Sequence, residues 1–273
     1  MFKYKRKKFK LAIFNFLKVV FQRVSRQKTE LTCFVAGHQR SGTNMVMDVL
    51  EKHWHTTVFH ETDNRAFDNY MMRPSKVIAN LRNKASAKLF VVKALCELDL
   101  LDSLMKEFKP AKTIWVIRHY NDVVNSMVRS FNTSASFYKK IKEDRTEGLW
   151  RSRNLSDENY QRIFSLVNHD ISEESAAALQ WAIRNLIFFE KNFDTNKDVL
   201  LINYESLVKE PNVTFPNIFS FLSIDNSPNS YKHVHDSSVG KNKTPEIDPR
   251  IKELCEDVWQ KFAPRLDEVK AKY

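Results

Sequence analysis

Two of the chain's four glycines stand in one octet, Gly37-His38-Gln39-Arg40-Ser41-Gly42-Thr43-Asn44, between the apolar run LTCFVA and the amphipathic run TNMVMDVLEKH. A strand that enters a Gly-x-x-x-x-Gly turn and leaves it as a helix N-terminus surrounds an anion with backbone N–H groups, and phosphate fits such a nest. In a nucleoside triphosphatase of this design Lys follows the second glycine, and Ser or Thr follows that to hold Mg²⁺. Here Gly42 is followed by Thr43 and Asn44, and the cation comes before it at Arg40. Two further apolar runs end in cations, Lys93 in LFVVK and Arg118 in IWVIRH, where a triphosphatase carries a metal-binding carboxylate. Ligands of open α/β sheets lie beyond the carboxyl ends of the strands. Arg40, Lys93 and Arg118 are therefore expected to converge on one anion-rich molecule, with fixed cations in place of a metal.

The octet resembles the 5′-phosphosulfate loop of the 3′-phosphoadenylyl sulfate (PAPS)-dependent sulfotransferases, in the Arg-Ser-Gly-Thr form of tyrosylprotein, bacterial and carbohydrate members. IRHYNDVVNS resembles their 3′-phosphate segment, with Arg118 at a strand end and Ser126 eight residues later. VLLINYESLVKEP, followed by an aromatic helix and FLSI, resembles a later signature, so the similarity runs in order over about residues 31–265. The resemblance implies a P-loop-like sulfotransferase fold, PAPS as donor and no metal. It implies that Arg40, Ser41, Gly42, Thr43 and Asn44 hold the 5′-phosphate and that Arg118 and Ser126 hold the 3′-phosphate. Gly240 and Lys241, in SSVGK, stand where the family's C-terminal loop crosses the 3′-phosphate.

Sulfuryl transfer needs an in-line nucleophile, a base for its proton, and positive charge where the leaving phosphate oxygen becomes negative. By the same resemblance Arg40 bridges the leaving oxygen and the sulfuryl group. Lys93, 25 residues before Arg118, looks like the second catalytic Lys of the tyrosylprotein members, although Ala94-Leu95 stands where they continue Asp-Pro. The cytosolic small-molecule enzymes place a His base near this Lys, and no His is near Lys93. Glu61, 21 residues after Arg40, resembles the acidic base of the tyrosylprotein enzymes and is the expected general base, with the adjacent His60 as the reserve. Glu205 is expected to brace a turn and Trp181 to sit in the core. The expected acceptor is a hydroxyl, with a carbohydrate or glycan ahead of peptidyl tyrosine. A divergent P-loop kinase and a non-catalytic nucleotide-binding module at a membrane are the rivals.

These side chains need a sheet whose strand ends share one edge. LTCFVAG, KLFVVK, TIWVIRH and DVLLINY read as four strands, with helical runs between them, and short apolar strands alternating with helices predict a three-layer α/β domain around a parallel sheet. SEESAAALQWAIRNLIFFEKNF is a long helix opened by Ser172, and Pro249 opens the last one. Residues 132–170 are polar, and they read as a lid or substrate-binding excursion outside the core.

With 42% apolar and 12% aromatic residues the chain is not disordered. Its +11 charge is unevenly spread: residues 1–30 hold ten basic side chains and one acid, whereas residues 31–273 hold 34 basic against 32 acidic. The chain thus reads as a basic arm, 1–30, and one domain, 31–273. Cys33, Cys96 and Cys255 form no disulfide framework or zinc spacing, which favours a reducing, cytoplasmic setting. In the arm Phe9, Ile13, Phe16, Leu17, Val20 and Val24 share one helical face, and Asn15, Lys18, Gln22 and Arg26 another. Lys18 interrupts the apolar run and no small-residue cleavage site follows, so a signal peptide is disfavoured. A basic amphipathic helix over residues 1–26 either lies on an anionic membrane surface or packs on the domain with a solvated charge run. A basic arm alone is only an electrostatic footprint, and no nucleic-acid partner is expected.

Overall fold

The computed structural model describes residues 2–25, 27–131, 135–168, 170–234 and 243–272. In chain order the first half comprises α1 (Phe2–Val24), β1 (Leu31–Ala36), α2 (Thr43–Glu51), β2 (Thr56–Phe59), β3 (Phe67–Asp68), β4 (Met71–Met72), α3 (Ser75–Lys84), β5 (Leu89–Ala94), α4 (Leu101–Glu107), β6 (Ala111–Ile117) and α5 (Tyr120–Ser130). There follow α6 (Ala135–Glu143), a 3₁₀ segment (Arg145–Arg151), α7 (Asp157–Phe164), α8 (Glu173–Glu190), β7 (Val199–Asn203), α9 (Tyr204–Lys209), α10 (Pro211–Phe221), α11 (Pro228–Tyr231) and α12 (Pro249–Lys272).

The five long strands form a parallel sheet in the order β2-β5-β1-β6-β7, and β3 and β4 form a separate antiparallel hairpin. Having left β1, the chain pairs first on one side of it with β5 and then on the other with β6. That reversal opens the crevice in which α/β sheets hold ligands. The register sets Val35 beside Lys93 and Ala36 beside Trp115, so the phosphate-type loop and the ends of β5 and β6 emerge at one level. The strands are buried on both faces, as their continuous apolar runs require. Val46, Leu50, Leu207, Phe215 and Phe219 pack on one face. Phe34, Trp115, Trp181, Phe188 and Phe262 pack on the other.

Three elements differ from the sequence expectation. The edge strand β2 is a four-residue TTVF among polar neighbours, too short to show a period. Residues 135–167, within the expected 132–170 excursion, pack into the core instead of standing outside it. Tyr138, Ile141, Leu155, Ile163, Phe164 and Val167 join the main apolar cluster, and Tyr138 Oη donates to Gln180 Oε1 of α8 at 3.0 Å. The few apolar residues of the segment fall at helical spacing, so a polar composition conceals two packed helices. Finally, α1 rests on α2 and β2 with its polar side inward. Lys18 Nζ donates to the carbonyl of Glu51 at 2.5 Å and to Thr56 Oγ1 at 3.0 Å, and Gln22 Nε2 donates to the carbonyls of Trp54 and Thr56 at 2.8 and 2.9 Å.

Candidate active site

The loop between β1 and α2 has a backbone that only glycine accommodates at two points. Gly37 has φ +138, and a Cβ there would lie 2.3 Å from the carbonyl oxygen of Val116; Gly42 has φ +97, and its Cβ would lie 2.3 Å from the Tyr204 ring. Gly42 is the N-cap of α2 and supplies no side-chain cap, which leaves the first helical N–H groups free of a side-chain acceptor. Ser41 is fully buried, and its Oγ has no hydrogen-bond partner among the described residues. Thr43 is buried at the helix start. His38 Nδ1 donates to the Gln39 carbonyl at 2.6 Å, and burial pulls its pKa down to about 3, so the ring beneath the loop is neutral.

The strand ends then bring the cations in. Lys93, 2% exposed, donates to Glu61 Oε1 and to Asn44 Oδ1, each at 2.5 Å. Burial lowers its pKa, and the carboxylate of Glu61 opposes that shift. Arg118 pairs with Asp122 at 3.1 Å, one helical turn on, and lies 4.2 Å from the centroid of the Tyr204 ring. The carbonyl of Arg118 accepts from Trp181 Nε1 at 3.0 Å, so the buried Trp181 fixes the end of β6 from the core. Arg40, at φ +65, donates from Nε to Ser126 Oγ at 2.8 Å, so residues assigned to opposite ends of the donor touch.

A cavity of about 690 Å³ unites these groups. Arg40, Gly42, Thr43, Asn44, Glu61, Lys93, Arg118 and Ser126 all line it, and Ser41 lies buried within the loop. Gly240 and Lys241 lie outside the described residues. His60 does not line the cavity. It faces Glu51 at 3.4 Å, and although burial pulls its pKa down, the bond and charge of Glu51 leave it raised. Asp48, Glu51 and His60 bring ligand atoms within 4.8 Å of one another, also away from the cavity lining. Glu205 is half-buried, outside the lining; burial raises its pKa, and its N–H donates to Asn203 Oδ1 at the start of α9.

The lining also includes residues that sequence reasoning missed: Tyr70, Asp122, Arg129, Phe131 and Tyr204. Asp122 was visible as the i+4 partner of Arg118. Tyr204 stood next to Glu205 in NYESL. Tyr70 arrives on the turn of the β3–β4 hairpin, where Asn69 and Tyr70 have φ 46 and 66 as a two-residue hairpin turn requires.

The sequence model of the sulfotransferase domain matches residues 31–262. The chain belongs to the sulfotransferase family. It is accordingly a transferase of sulfuryl groups, and enzymes of this family generally draw them from PAPS. Among solved structures, the sulfotransferase domain from the curacin biosynthetic pathway superposes with a TM-score of 0.53 over 86% of this chain and 98% of that one, at 13% identity, which reflects a shared fold. The sulfotransferase domain of the Synechococcus PCC 7002 olefin synthase gives a TM-score of 0.49 at 15% identity, covering 85% of this chain and 95% of that one. A mouse sulfotransferase complexed with PAP gives 0.45 at 18% identity, covering 83% and 72%. Comparison with curated proteins gives no match.

The sulfotransferase has a loop that suits the phosphate end of such a donor. The buried Ser41 hydroxyl has no partner among the described residues, and the two glycines keep the nest clear of their own side chains. The cavity is lined by four cations, Arg40, Lys93, Arg118 and Arg129, and two carboxylates, Glu61 and Asp122, which pair with Lys93 and Arg118.

Proposed function

We propose that this sulfotransferase moves a sulfuryl group from PAPS to a carbohydrate hydroxyl by in-line transfer without a metal. The observation that carries the reading is Lys93, whose ammonium holds both Glu61, the candidate base, and Asn44 of the phosphate loop at 2.5 Å. One buried cation thus joins the two ends of the reaction. Ser41, Gly42, Thr43 and Asn44 cradle the 5′-phosphate, and Arg118 and Ser126 take the 3′-phosphate. Glu61 accepts the acceptor's hydroxyl proton as that oxygen bonds to sulfur and the bond from sulfur to the phosphate oxygen breaks. Arg40 and Lys93 stabilise the charge that collects on the departing phosphate oxygen. As Glu61 becomes neutral, the charge of Lys93 is released from its ion pair just as the leaving oxygen needs it.

A glycan acceptor is supported by the choice of a carboxylate base and by a half-open cavity edged by Tyr70 and Phe131, aromatic side chains that are 59% and 46% exposed. The basic arm supports placement at an anionic membrane surface, where lipid-linked or polysaccharide acceptors are met. Sulfur-labelled PAPS offered with pools of glycans, tyrosine peptides and phenols tests the acceptor. Label transferred to glycans is the expected result, and label only on peptides or phenols overturns it. Calorimetry with 3′,5′-phosphoadenosine and with Mg·ATP tests the donor; binding of Mg·ATP alone overturns the reading in favour of a kinase.

A further inference from the structure

An amphipathic helix on a protein surface ordinarily turns its apolar stripe to the core. In α1 the arrangement is reversed. Lys18 and Gln22 are 6% and 3% exposed, held by four hydrogen bonds to the end of α2, to the turn after it and to β2, whereas Phe16, Leu17, Val20 and Val24 are 68%, 49%, 42% and 77% exposed. At about 100° per residue these four and Ile13 form one stripe on the side of the helix opposite Lys18 and Gln22. The domain body extends the patch: Trp54, 39% exposed, meets the rings of Phe14 and Phe21 edge-on, with centroids 5.1 and 5.4 Å away. A contiguous apolar surface of this kind marks a contact site.

We infer that the outward stripe of α1, extended by Trp54, inserts into the interface of an anionic bilayer while the polar side of the helix stays docked on the domain. Charge selects this occupant. The same helix begins with Lys3, Lys5, Arg6, Lys7, Lys8 and Lys10, and residues 1–30 carry ten basic side chains against one acid. Two copies of the chain paired through this stripe would bring two such arms together, whereas anionic headgroups neutralise them. Among the described residues no helix is long and apolar enough to cross a membrane, so the helix lies in the interface. Its docking to β2 and α2 makes it a fixed face of the enzyme, which gives the whole domain one orientation on the lipid. The inference rests on the membrane placement proposed above and is independent of donor and acceptor.

Co-sedimentation of the full chain with phosphatidylcholine vesicles, with and without phosphatidylglycerol, tests it. Binding is expected only to the anionic vesicles, and a Phe16→Glu/Val20→Glu variant is expected to bind at least about tenfold more weakly. Unchanged affinity for 3′,5′-phosphoadenosine shows that the variant is folded and separates this outcome from any failure of the proposed chemistry. Equal vesicle binding by the variant overturns the inference. So does a wild-type chain that ignores vesicles, or one that dimerises through the stripe and becomes monomeric in the variant. Hydrogen exchange reports the docking: protection of residues 13–24 should persist on vesicles, and its loss would show that the helix detaches.

Discussion

Lys18 and Lys93 are both buried lysines, and they are buried for different ends. Lys18, in the arm, donates to a carbonyl and a hydroxyl; burial dominates and draws its pKa down to about 8, against a weaker pull from Glu51. Lys93, at the end of β5, is buried still more fully but faces the carboxylate of Glu61 at 2.5 Å, which offsets part of the cost of desolvation and leaves its pKa lowered. A lysine that only fastens a helix can use neutral acceptors. In the proposed mechanism Lys93 delivers charge to the reaction, and that role calls for a counter-ion that is neutralised when the charge is required.

The sharpest way to break this comparison is to remove the proton acceptor while keeping its shape. Glu61→Gln is expected to lower kcat by about 10³-fold, on the order of 4 kcal/mol, with donor affinity retained. Steady-state assays with labelled PAPS and calorimetry with 3′,5′-phosphoadenosine measure the two quantities, and near-normal turnover would remove Glu61 as base. Lys93→Met should cost about 10² to 10³-fold in kcat, because it removes one donor at the leaving oxygen and strands Glu61 without its partner. Lys18→Met, in contrast, should leave kcat on a soluble acceptor within about twofold. A loss at Lys18 as large as that at Lys93 would show that the arm takes part in catalysis and that the two lysines do not differ as described.

The phosphate-type loop was legible in the sequence because its chemistry is local: two glycines five residues apart and a cation between them define a nest wherever a strand meets a helix. Arg118 and Ser126 were legible for the same reason, being eight residues apart, one at a strand end and the other in the helix that follows. Lys93 and Glu61 were reachable only through their spacing from those motifs, and their contact across the crevice is a product of strand order, which no local pattern encodes. Tyr204 was missed although it limits the space above Gly42, since its role depends on α9 folding back over the loop. The orientation of α1 lay equally out of reach. The sequence shows two faces of that helix, but which one meets the domain depends on the carbonyls exposed at the end of α2 and along β2. The helices of residues 135–167 failed to show for a related reason: half a dozen buried side chains suffice to pack them, too few to alter a polar composition.

A pH-dependent stability effect is also expected at Lys18. Its pKa is about 8 in the folded protein against 10.5 for a free lysine. Between those values the folded chain has released this proton while the unfolded chain keeps it, so the Lys18 contribution to stability rises with pH across that window and is constant below it. The gain is up to about 3 kcal/mol. Burial, aided by the hydrogen bond and charge of Glu256, raises the pKa of Tyr120, and that contribution is lost as pH rises above the ordinary tyrosine value. The measurement is therefore the difference in denaturant stability between the wild type and Lys18→Met, taken near pH 7 and again near pH 10. Relative to the variant, the wild type should become more stable at the higher pH. A difference that does not change with pH would mean that Lys18 is solvated, that α1 is not seated through its polar side, and that its apolar stripe is free to turn toward the domain.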